Sequence, residues 1–385
     1  MTPTPATSTG PLHGTRVIEF AGIGPGPFAG MLLADMGAEV IVVERLSGDP
    51  ILGKVRSAVN RGKRSLALDI KHADGREAAW RLLDSADALI EGYRPGVMER
   101  LGFGPAEVAS RCPKLVYGRV TGWGQTGPLA QAAGHDINYV SLSGVMSTVA
   151  RPGQLPALPA TIVGDMAGGA MFLAFGIVCA LLEAKRSGQG QSVDAAMLDG
   201  VALLSALQHQ MRAINFWRDE PERNFFLGSS AFYEVFECSD GRQVSFGAIE
   251  PQFYAELLQR LGLDDVDAKR QYDSRDWPAL KARVAALVKT RSRDEWCALM
   301  EGSDACFAPV LSLAEAPAHP HNAARGVFVQ VDGKVQPAPA PRFSRSTARA
   351  PSAGTFTGEH TDEVLAGIGF DAQRIAAMRG ARACA

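Results

Sequence analysis

The chain has 385 residues, which is longer than one hydrophobic core usually serves, so its length predicts two domains. Its 39 Lys and Arg residues almost balance its 41 Asp and Glu residues, and the formal net charge of -2 argues against a nucleic-acid partner. Hydrophobic residues make up 46% and charged residues 21% of the sequence, a composition typical of folded globular proteins rather than disordered ones.

The cysteines and the first residues favour a cytoplasmic location. The 6 cysteines show no CxxC pattern and no paired spacing, which argues against a zinc site or disulfide framework and fits a reducing compartment. Residues 1–11 lack the basic and apolar regions of a signal peptide, and we interpret them as a disordered lead-in. The uncharged stretch from Met166 to Leu182 is short for a membrane span and starts with small residues, so it predicts a buried core helix and no membrane partner.

Strands and helices alternate through the first half of the chain. Short strands are predicted at Thr15–Ala21, Val40–Glu44, Ala88–Glu91 and Leu115–Val120. Helices are predicted between them, at Phe28–Met36, Asp74–Ser85 and Pro105–Arg111. This alternation is typical of βαβ units on a parallel sheet, so residues 12–190 are predicted to form a large, Rossmann-like α/β domain.

The pattern changes after the predicted large domain. Residues 191–225 are predicted to form a connecting helix, from Leu198 to Trp217, followed by a polar linker. Two alternating apolar runs then flank Asp240-Gly241, which predicts a β-hairpin with a two-residue turn, because such a turn needs positive φ.

A smaller domain and a return segment complete the predicted organisation. Together with helices at Pro251–Leu261 and Trp277–Lys289, the hairpin predicts a small α+β domain over residues 226–330. Residues 331–385, which include a Pro- and Ala-rich surface segment and a last helix near Asp362–Ala366, are predicted to return to the large domain and end in a tail.

A glycine-rich turn, Gly22-Ile-Gly-Pro-Gly-Pro27, follows the first predicted strand and opens a helix, as in dinucleotide-binding folds. Arg45 follows the second strand, where an NADP-dependent enzyme can place an arginine for the ribose phosphate. However, Pro25 and Pro27 lack the N–H groups that such a turn offers to a pyrophosphate, and the glycine spacing departs from the fingerprint. We therefore favour a structural tight turn over a nicotinamide site.

Long motifs run through most of the chain. They are Leu12-His-Gly-Thr-Arg-Val-Ile-Glu-Phe20, Asn60-Arg-Gly-Lys-Arg-Ser-Leu-Ala-Leu-Asp-Ile-Lys71, Glu91-Gly-Tyr-Arg-Pro-Gly-Val-Met-Glu-Arg-Leu-Gly102, Thr121-Gly-Trp-Gly-Gln-Thr-Gly-Pro128, Gly134-His-Asp-Ile-Asn-Tyr139, Val163-Gly-Asp-Met-Ala-Gly-Gly169 and Gly247-Ala-Ile-Glu-Pro-Gln-Phe-Tyr254. On these motifs the sequence resembles the class III CoA-transferase (CaiB/BaiF) superfamily, and within it the α-methylacyl-CoA racemase branch. The resemblance implies an interlocked homodimer, in which each active site combines the large CoA-binding domain of one chain with the small domain of the other.

His135 and Asp165 carry the strongest chemical implications. Asp165 is expected to precede a helix, where an aspartate is a natural N-cap, and His135 lies in a predicted loop, so both also have purely structural interpretations. The resemblance instead implies that they are the proton-transfer pair of a racemase. Family transferases use the matching aspartate as a nucleophile that carries the acyl group, and they typically have tyrosine where this chain has His135. That difference favours the racemase branch.

The implied reaction interconverts (2R)- and (2S)-2-methylacyl-CoA thioesters, as in lipid and fatty-acid metabolism, through an enolate. His135 and Asp165 would stand on opposite faces of the substrate, share one proton and titrate as a unit. We expect the helix after Asp165 to offer free N–H groups to the enolate oxygen. The dipole of that helix favours the carboxylate form, so something else must keep Asp165 able to hold a proton.

Glu250 precedes Pro251 at a predicted helix start, where a carboxylate is favourably placed. The resemblance implies a catalytic role as well, because the matching glutamate of the family's small domain hydrogen-bonds the catalytic histidine. An acidic partner would orient the imidazole of His135 and stabilise its imidazolium. We favour this catalytic role over the cap.

CoA carries phosphates, so the resemblance also implies a set of substrate-binding residues. These are Arg45, Leu68, Asp69, Ile70, Lys71, Gly92, Tyr93, Arg94, Arg100, Gly134, Asp136, Ile137, Asn138 and Tyr139. Each arginine alone is also explained as a solvated surface charge, and we interpret Lys63-Arg64 in that way. CoA is part of the substrate, and we expect no cofactor and no metal.

Three other functions remain open. A class III CoA-transferase would use Asp165 as an acyl carrier, and a nicotinamide-dependent reductase would bind NADPH at the glycine-rich turn. A non-catalytic CoA-binding protein would have no activity for His135→Ala to remove. The sequence does not determine the acyl chain of the substrate.

Overall fold

The computed structural model describes residues 10–48 and 55–385, so the predicted lead-in lies outside the described residues apart from residues 10 and 11. The strands are β1 (Arg16–Phe20), β2 (Glu39–Glu44), β3 (Arg64–Ala67), β4 (Ala88–Glu91), β5 (Val116–Thr121), β6 (Ser192–Ala196), β7 (Tyr233–Glu237), β8 (Gln243–Gly247), β9 (Phe307–Val310), β10 (Phe328–Val331) and β11 (Lys334–Pro337). The α-helices are α1 (Pro25–Asp35), α2 (Ala73–Asp84), α3 (Val97–Leu101), α4 (Pro105–Arg111), α5 (Asp136–Leu142), α6 (Met171–Ser187), α7 (Met197–Leu204), α8 (Ala206–Ala213), α9 (Pro251–Arg260), α10 (Trp277–Val288), α11 (Arg293–Met300), α12 (Pro320–Arg325), α13 (Thr361–Gly367) and α14 (Ala372–Gly380). A π-helical segment, Ile162–Ala170, runs directly into α6.

The chain divides into two compact units. The large unit contains residues 10–48, 55–143, 159–204 and 326–385, and the small unit contains residues 144–158 and 205–325. The small unit therefore interrupts the large unit twice. The sequence predicted a large domain over residues 12–190, a connecting segment over residues 191–225 and a small domain over residues 226–330, so it kept residues 144–158 in the large domain.

The large unit is built on a six-stranded sheet in the order β3-β2-β1-β4-β5-β6, with every neighbouring pair parallel. Its central strands are buried on both faces, and Val17, Ile18 and Leu89 have no solvent exposure. The strand order is that of a Rossmann fold. The predicted α/β fold with a parallel sheet is confirmed, although its two edge strands, β3 and β6, were not predicted.

The helix from Ile162 to Ser187 is long and apolar enough to cross a membrane, judged by length and composition alone. One face packs against the sheet, where Leu173 and Ile177 are fully buried. The opposite face exposes large apolar side chains such as Phe175 and Leu182. Core helices of soluble proteins pass the same composition test, so this helix is weak evidence for a membrane span. The predicted core helix is thus buried on one face only.

The small unit contains an antiparallel sheet of β7, β8 and β9 with α9, α10 and α11. β7 and β8 form the predicted hairpin, but its turn is longer than predicted. The N–H of Cys238 donates to the carbonyl of Arg242 at 2.8 Å, which leaves three residues in the loop. Gly241 in that loop adopts φ +75°, a conformation that glycine reaches without steric cost.

Residues 326–385 complete the large unit. Apolar side chains of α13 and α14 join the core beside β3 and α2, namely Val364, Leu365, Ile375 and Met378. Cys384 forms an isolated antiparallel bridge with Leu68, and the N–H of Asp69 donates to the carbonyl of Ala383 at 2.9 Å. The segment that follows β3 is therefore held by residues more than 300 positions later in the chain.

Two sequence interpretations are wrong. The helix predicted from Leu198 to Trp217 is divided into α7 and α8, because the backbone at Ser205 leaves helical geometry with ψ 13°. Lys63 is not a solvated charge, since its side chain has 0% exposure and its ammonium lies 2.7 Å from the carboxylate of Glu19. A buried charge needs such a partner, and the pairing removes the interpretation of Lys63-Arg64 as a surface run.

Candidate active site

Three groups of the residues predicted to bind CoA follow strands at one edge of the parallel sheet. Arg45 follows β2, Leu68–Lys71 follow β3 and Gly92–Arg94 follow β4. The carboxyl ends of parallel strands meet at the same edge, which is where open α/β sheets bind their ligands. Because β3, β2, β1 and β4 are neighbours, the three groups lie side by side.

A cavity of about 480 Å³ opens at this edge. Three residues of the predicted set line it, namely Arg45, Gly92 and Tyr93, whereas the rest of the set does not. Its other walls include residues that the sequence did not single out, among them Glu19, Glu44, Asn60, Met166 and Thr355. For Thr355, the only indication in the sequence was the prediction that residues 331–385 return to the large domain.

The glycine-rich turn after β1 is part of the site. Gly22 and Gly24 line the cavity, and Gly24 adopts φ +71° directly before α1. A Cβ at Gly24 would lie 3.3 Å from a carboxylate oxygen of Asp165. The sequence predicted only a tight turn here. In the structure, the glycines of this turn have no side chains to fill the space beside Asp165.

Asp165 lies inside a helical segment and not in front of one, so the N-cap interpretation is wrong. The π-helical segment begins after Thr161, whose φ of 64° is rare for a residue with a Cβ. The N–H of Met166 donates to the carbonyl of Thr161, five residues back, at 3.1 Å. Such wide turns are uncommon and occur frequently at functional sites.

Asp136 connects the two candidate catalytic segments. It follows His135 directly, and its Oδ1 accepts the N–H of Gly164 at 2.6 Å and the N–H of Asp165 at 2.9 Å. Its side chain is buried, and no described group pairs with its Oδ2. Gly164 is required by this contact, because a Cβ there would lie 2.5 Å from Asp136 Oδ1. Asp136 was predicted as a CoA-binding residue, and here its carboxylate binds the Asp165 backbone.

These contacts remove the expected donors for the enolate oxygen. The helical segment starts before Asp165, so no free helix N-terminus follows that residue. The N–H groups next to Asp165 are already used, by Asp136 at positions 164 and 165 and by Thr161 at position 166. The expectation that the helix after Asp165 supplies free N–H groups is therefore wrong.

His135 is exposed at the start of α5, in position to meet a substrate. The Oδ1 atom of Asn138 accepts the backbone N–H of His135 at 3.0 Å and fixes this helix start. Ile137 is 58% exposed beside it. Asn138, predicted to bind CoA, thus also holds the backbone of the candidate base.

The electrostatics of Asp165 answer the question of how it holds a proton. Burial, reinforced by the negative charge of Asp136, raises the pKa of Asp165 to about 6, whereas His135 acts in the opposite direction. An Asp carboxyl with a pKa close to neutrality can donate and accept a proton at physiological pH. The hydrogen bond from the Asp165 backbone to Asp136, the residue after His135, keeps the two candidates on neighbouring segments.

Two tyrosines fix the loops around the site. The hydroxyl of Tyr139 donates to the carbonyl of Gly134, and its ring meets Trp123 edge-on with 4.7 Å between the centroids. The hydroxyl of Tyr93 donates to the carbonyl of Ala21 at 2.9 Å. Burial raises the pKa of both hydroxyls, so they remain protonated donors at neutral pH.

The remaining predicted residues differ in accessibility. Lys71, Arg94 and Arg100 are exposed, whereas Leu68 is buried and offers only its backbone. Burial raises the pKa of the Tyr139 hydroxyl, and the positive charge of Arg94 opposes that effect.

Glu250 belongs to the small unit, where it is exposed at the N-cap position of α9 and precedes Pro251. Its side chain makes no capping hydrogen bond. The predicted hydrogen bond with a histidine stays a prediction. Within the described ranges, no group of three or more His, Cys, Asp or Glu side chains is placed to hold a metal ion.

Comparisons with known proteins show the family to which the chain belongs. The model of CoA-transferase family III matches residues 12–361. The chain belongs to this family. It is 43% identical over 377 residues to the alpha-methylacyl-CoA racemase of Mus musculus, covering 96% of this chain and 97% of the relative. It is 40% identical over 367 residues to the alpha-methylacyl-CoA racemase of Homo sapiens, covering 94% and 95% respectively.

The fold also matches a solved member of the family. The crystal structure of a CAIB/BAIF family protein from Brucella suis superposes with a TM-score of 0.81 at 27% identity, covering 94% of this chain and all of that one. The family assignment and the α/β fold predicted from the motifs are therefore confirmed.

Proposed function

We propose that the chain is a racemase that interconverts (2R)- and (2S)-2-methylacyl-CoA thioesters by 1,1-proton transfer. The observation that carries this proposal is the carboxyl of Asp165, whose pKa is raised to about 6 within interaction range of His135. A group that gives and takes a proton works best when its pKa lies near the working pH. The racemase names of relatives at 43% and 40% identity support the same activity.

In one direction, neutral His135 removes the α proton, and the electron pair of the C–H bond moves into the thioester as an enolate. Asp165 then gives its proton to the α carbon from the opposite face. In the other direction, the Asp165 carboxylate removes the proton and the imidazolium of His135 returns one. The two residues share one proton throughout the proposed reaction. The electron pair of the C–H bond stays in the substrate and no oxidation state changes, so the proposed reaction needs no redox cofactor.

The CoA part of the substrate is assigned to the edge described above. Arg45, Lys71, Arg94 and Arg100 are exposed there, and in the part of the chain that the structure describes none of them forms an ion pair. Their charges are available to phosphate groups. The backbone of Leu68–Lys71, the loop Gly92–Arg94 and residues 134–139 complete the proposed surface. We place the protein in the cytoplasm, as its cysteine pattern predicts.

A homodimer is the proposed active form, with the small unit of one chain contributing Glu250 to the site of the other. Its structural support is an exposed apolar row on α6, the α6 stripe, formed by Met171, Phe175, Val178 and Leu182. The spacing of four, three and four residues places them on one face of the helix. Monomeric proteins rarely leave such rows uncovered, and a second copy of the chain would bury this one.

Isotope exchange tests the activity directly. One enantiomer of 2-methylacyl-CoA is incubated in deuterium oxide without an acceptor acid, and racemisation and α-deuterium are measured together. We expect both with the wild-type protein, and neither with His135→Ala or Asp165→Asn. His321→Ala, at an exposed histidine of the small unit, is the matched control and should retain activity. Absence of exchange with a panel of acyl chains would overturn the proposal.

The second candidate is a CoA-transferase, the activity after which the family is named. Asp165 would then attack the thioester carbonyl, release CoA as thiolate and carry the acyl group as an anhydride. Hydroxylamine converts such an anhydride to an acyl hydroxamate. If acyl hydroxamate forms when an acyl-CoA donor is present, and the acyl-CoA gains no α-deuterium, the result would favour transfer over racemisation.

A further inference from the structure

A buried arginine joins two parts of the proposed CoA-binding surface. Arg119 lies on β5, and its side chain is 8% exposed. Its Nε donates to Glu91 Oε1 at 2.6 Å, at the end of β4. Its two terminal nitrogens donate to the carboxylate of Glu99 on α3, at 3.0 and 3.4 Å. One guanidinium therefore holds two carboxylates from different elements.

The two carboxylates stand directly before proposed CoA-binding residues. Glu91 precedes Gly92, and its second oxygen accepts the N–H of Tyr93 at 2.8 Å, so the same carboxylate also fixes the loop. Glu99 precedes Arg100 in the sequence. The guanidinium of Arg119 thus links the backbone that carries Gly92–Arg94 to the helix that carries Arg100.

The helix α3 is short and is anchored at a few points. It has only five residues and is bounded by two glycines in the left-handed conformation, Gly96 at φ +83° and Gly102 at φ +75°. Met98 is fully buried, Leu101 packs against the same core, and the carbonyl of Leu101 accepts a hydrogen bond from an arginine of α2. The guanidinium–carboxylate contact at Glu99 adds a directional link from this helix to the end of β4.

Stability alone does not explain the arrangement. Removing two buried charges from water is expensive, and well-packed apolar side chains usually stabilise a core as well as a buried ion pair does. Lysine would supply the charge but not the planar fork that reaches both carboxylates. What the fork adds is a fixed distance between the two carboxylates that it bridges.

We propose that Arg119 is a positioning residue that sets the spacing between the Gly92–Arg94 loop and Arg100, and through it the affinity for the phosphate-bearing end of CoA. The inference rests on the proposed function, because it assumes that these residues bind CoA. Arg119 itself does not touch the reacting atoms. It acts on substrate affinity, and the proton transfer between His135 and Asp165 proceeds unchanged.

The test compares Glu99→Gln and Arg119→Lys with wild type. Glu99 is 39% exposed, so its substitution loosens the link without leaving a buried charge unpaired. Glu107→Gln, an exposed glutamate on the next helix that takes no part in the link, is the matched control. CoA affinity is measured by calorimetry, and racemisation of 2-methylacyl-CoA gives kcat and KM.

We expect both variants to weaken CoA binding and raise KM by roughly 3- to 10-fold, with kcat within about twofold of wild type. A substrate that lacks the nucleotide, 2-methylacyl-pantetheine, separates positioning from general damage. Its kcat/KM should be the same in wild type, Glu99→Gln and Arg119→Lys, because it cannot contact the phosphate-binding residues. Equal losses with both substrates would overturn the positioning role.

The outcomes also separate this inference from the proposed function. If wild type binds CoA and both variants bind it equally well, the positioning role is wrong and the proposed function stands. If wild type binds neither CoA nor acyl-CoA, the proposed function fails and the positioning role fails with it. Loss of affinity in Glu107→Gln as well would show a general charge effect and would also overturn the role of Arg119.

Discussion

The carboxylate of Asp136 accepts the backbone N–H of Asp165 at 2.9 Å, so the neighbour of one catalytic candidate holds the other. The same carboxylate raises the pKa of Asp165 through its charge. Asp136 therefore acts on both the position and the protonation of Asp165, because it holds the backbone and its charge adds to the effect of burial on the pKa.

Asp136→Asn separates these two effects. The amide oxygen of asparagine can still accept the N–H groups of Gly164 and Asp165, but the negative charge is lost. We expect the pKa of Asp165 to fall from about 6 toward its ordinary value. The acid limb of the pH profile of kcat/KM, where a second proton is added to the pair, should then move to lower pH by on the order of one unit. An unchanged acid limb would contradict the electrostatic role of Asp136.

Asp165 should destabilise the folded protein at neutral pH. Its folded pKa of about 6 lies above the ordinary value of 3.8, so the penalty is absent below pH 4, grows between pH 4 and 6 and is complete above pH 6. Asp165→Asn should therefore raise the free energy of unfolding at pH 7.5 by about 1–2 kcal/mol, after discounting for partial exposure, while abolishing racemisation. Denaturant unfolding at pH 7.5 and pH 4 measures the difference. A gain of equal size at both pH values would show that ionisation is not its cause.

Gly164→Ala should damage the site without changing any charge. The new Cβ would lie 2.5 Å from Asp136 Oδ1 and must displace the contact that holds Asp165. We expect kcat to fall by more than about tenfold, because misplacement of a catalytic group by a fraction of an ångström has large effects. Gly367→Ala is the matched control, since a Cβ at that helical position meets nothing within 4 Å and should leave kcat unchanged. Wild-type kcat in Gly164→Ala would show that the contact is dispensable.

A charge on the α6 stripe should separate the proposed dimer. Phe175 is 68% exposed in the single chain, so lysine at this position is tolerated by the monomer fold. In a dimer that covers the stripe, the lysine would be buried without a partner, which is strongly unfavourable. We expect Phe175→Lys to shift the molar mass in solution from dimer to monomer, as measured by light scattering. Val335→Lys, at a 49% exposed position on β11, controls for added charge and should remain dimeric.

Mixed dimers test whether the site is shared. His135→Ala and Glu250→Ala are each expected to reduce activity strongly when expressed alone. In a heterodimer of the two variants, a site shared between the chains would combine intact His135 of one chain with intact Glu250 of the other, so one of the two sites would be unmodified. If each site were built from a single chain, both sites would carry a substitution. Co-expression with two different purification tags isolates this heterodimer. Activity near half of the wild-type value supports sharing, and activity no higher than that of the single variants excludes it.

The sequence predicted the centre of the large unit better than its edges. β1, β2 and β4 have continuous Val, Ile and Leu runs, which are typical of strands buried on both faces. β3 and β6 have short and partly polar sequences, and their strand conformation depends on the neighbours that they meet in the fold. The burial of Lys63 could not be predicted for the same reason, because its partner Glu19 lies 44 positions earlier and is not part of the local sequence pattern.

The site shows a similar division. The residue types and motifs identified His135 and Asp165. Local propensity, however, placed Asp165 directly before its helix, whereas the helical segment already begins at Ile162. The deciding feature is the positive φ of Thr161, which no propensity scale anticipates for threonine. The role of Asp136 depends on a contact between positions 136 and 164–165, and only the folded chain shows it.

The interruption of the large unit has a consequence for synthesis on the ribosome. The core residues on β3 and α2 emerge early, but α13 and α14, which cover them, follow only after residues 205–325 have been made. At the usual rates of translation this delay is on the order of ten seconds. During that time Leu66 and Leu83, both fully buried in the finished protein, lack the part of their core that α13 and α14 supply. The nascent chain is thus expected to expose apolar surface until α14 has left the ribosome.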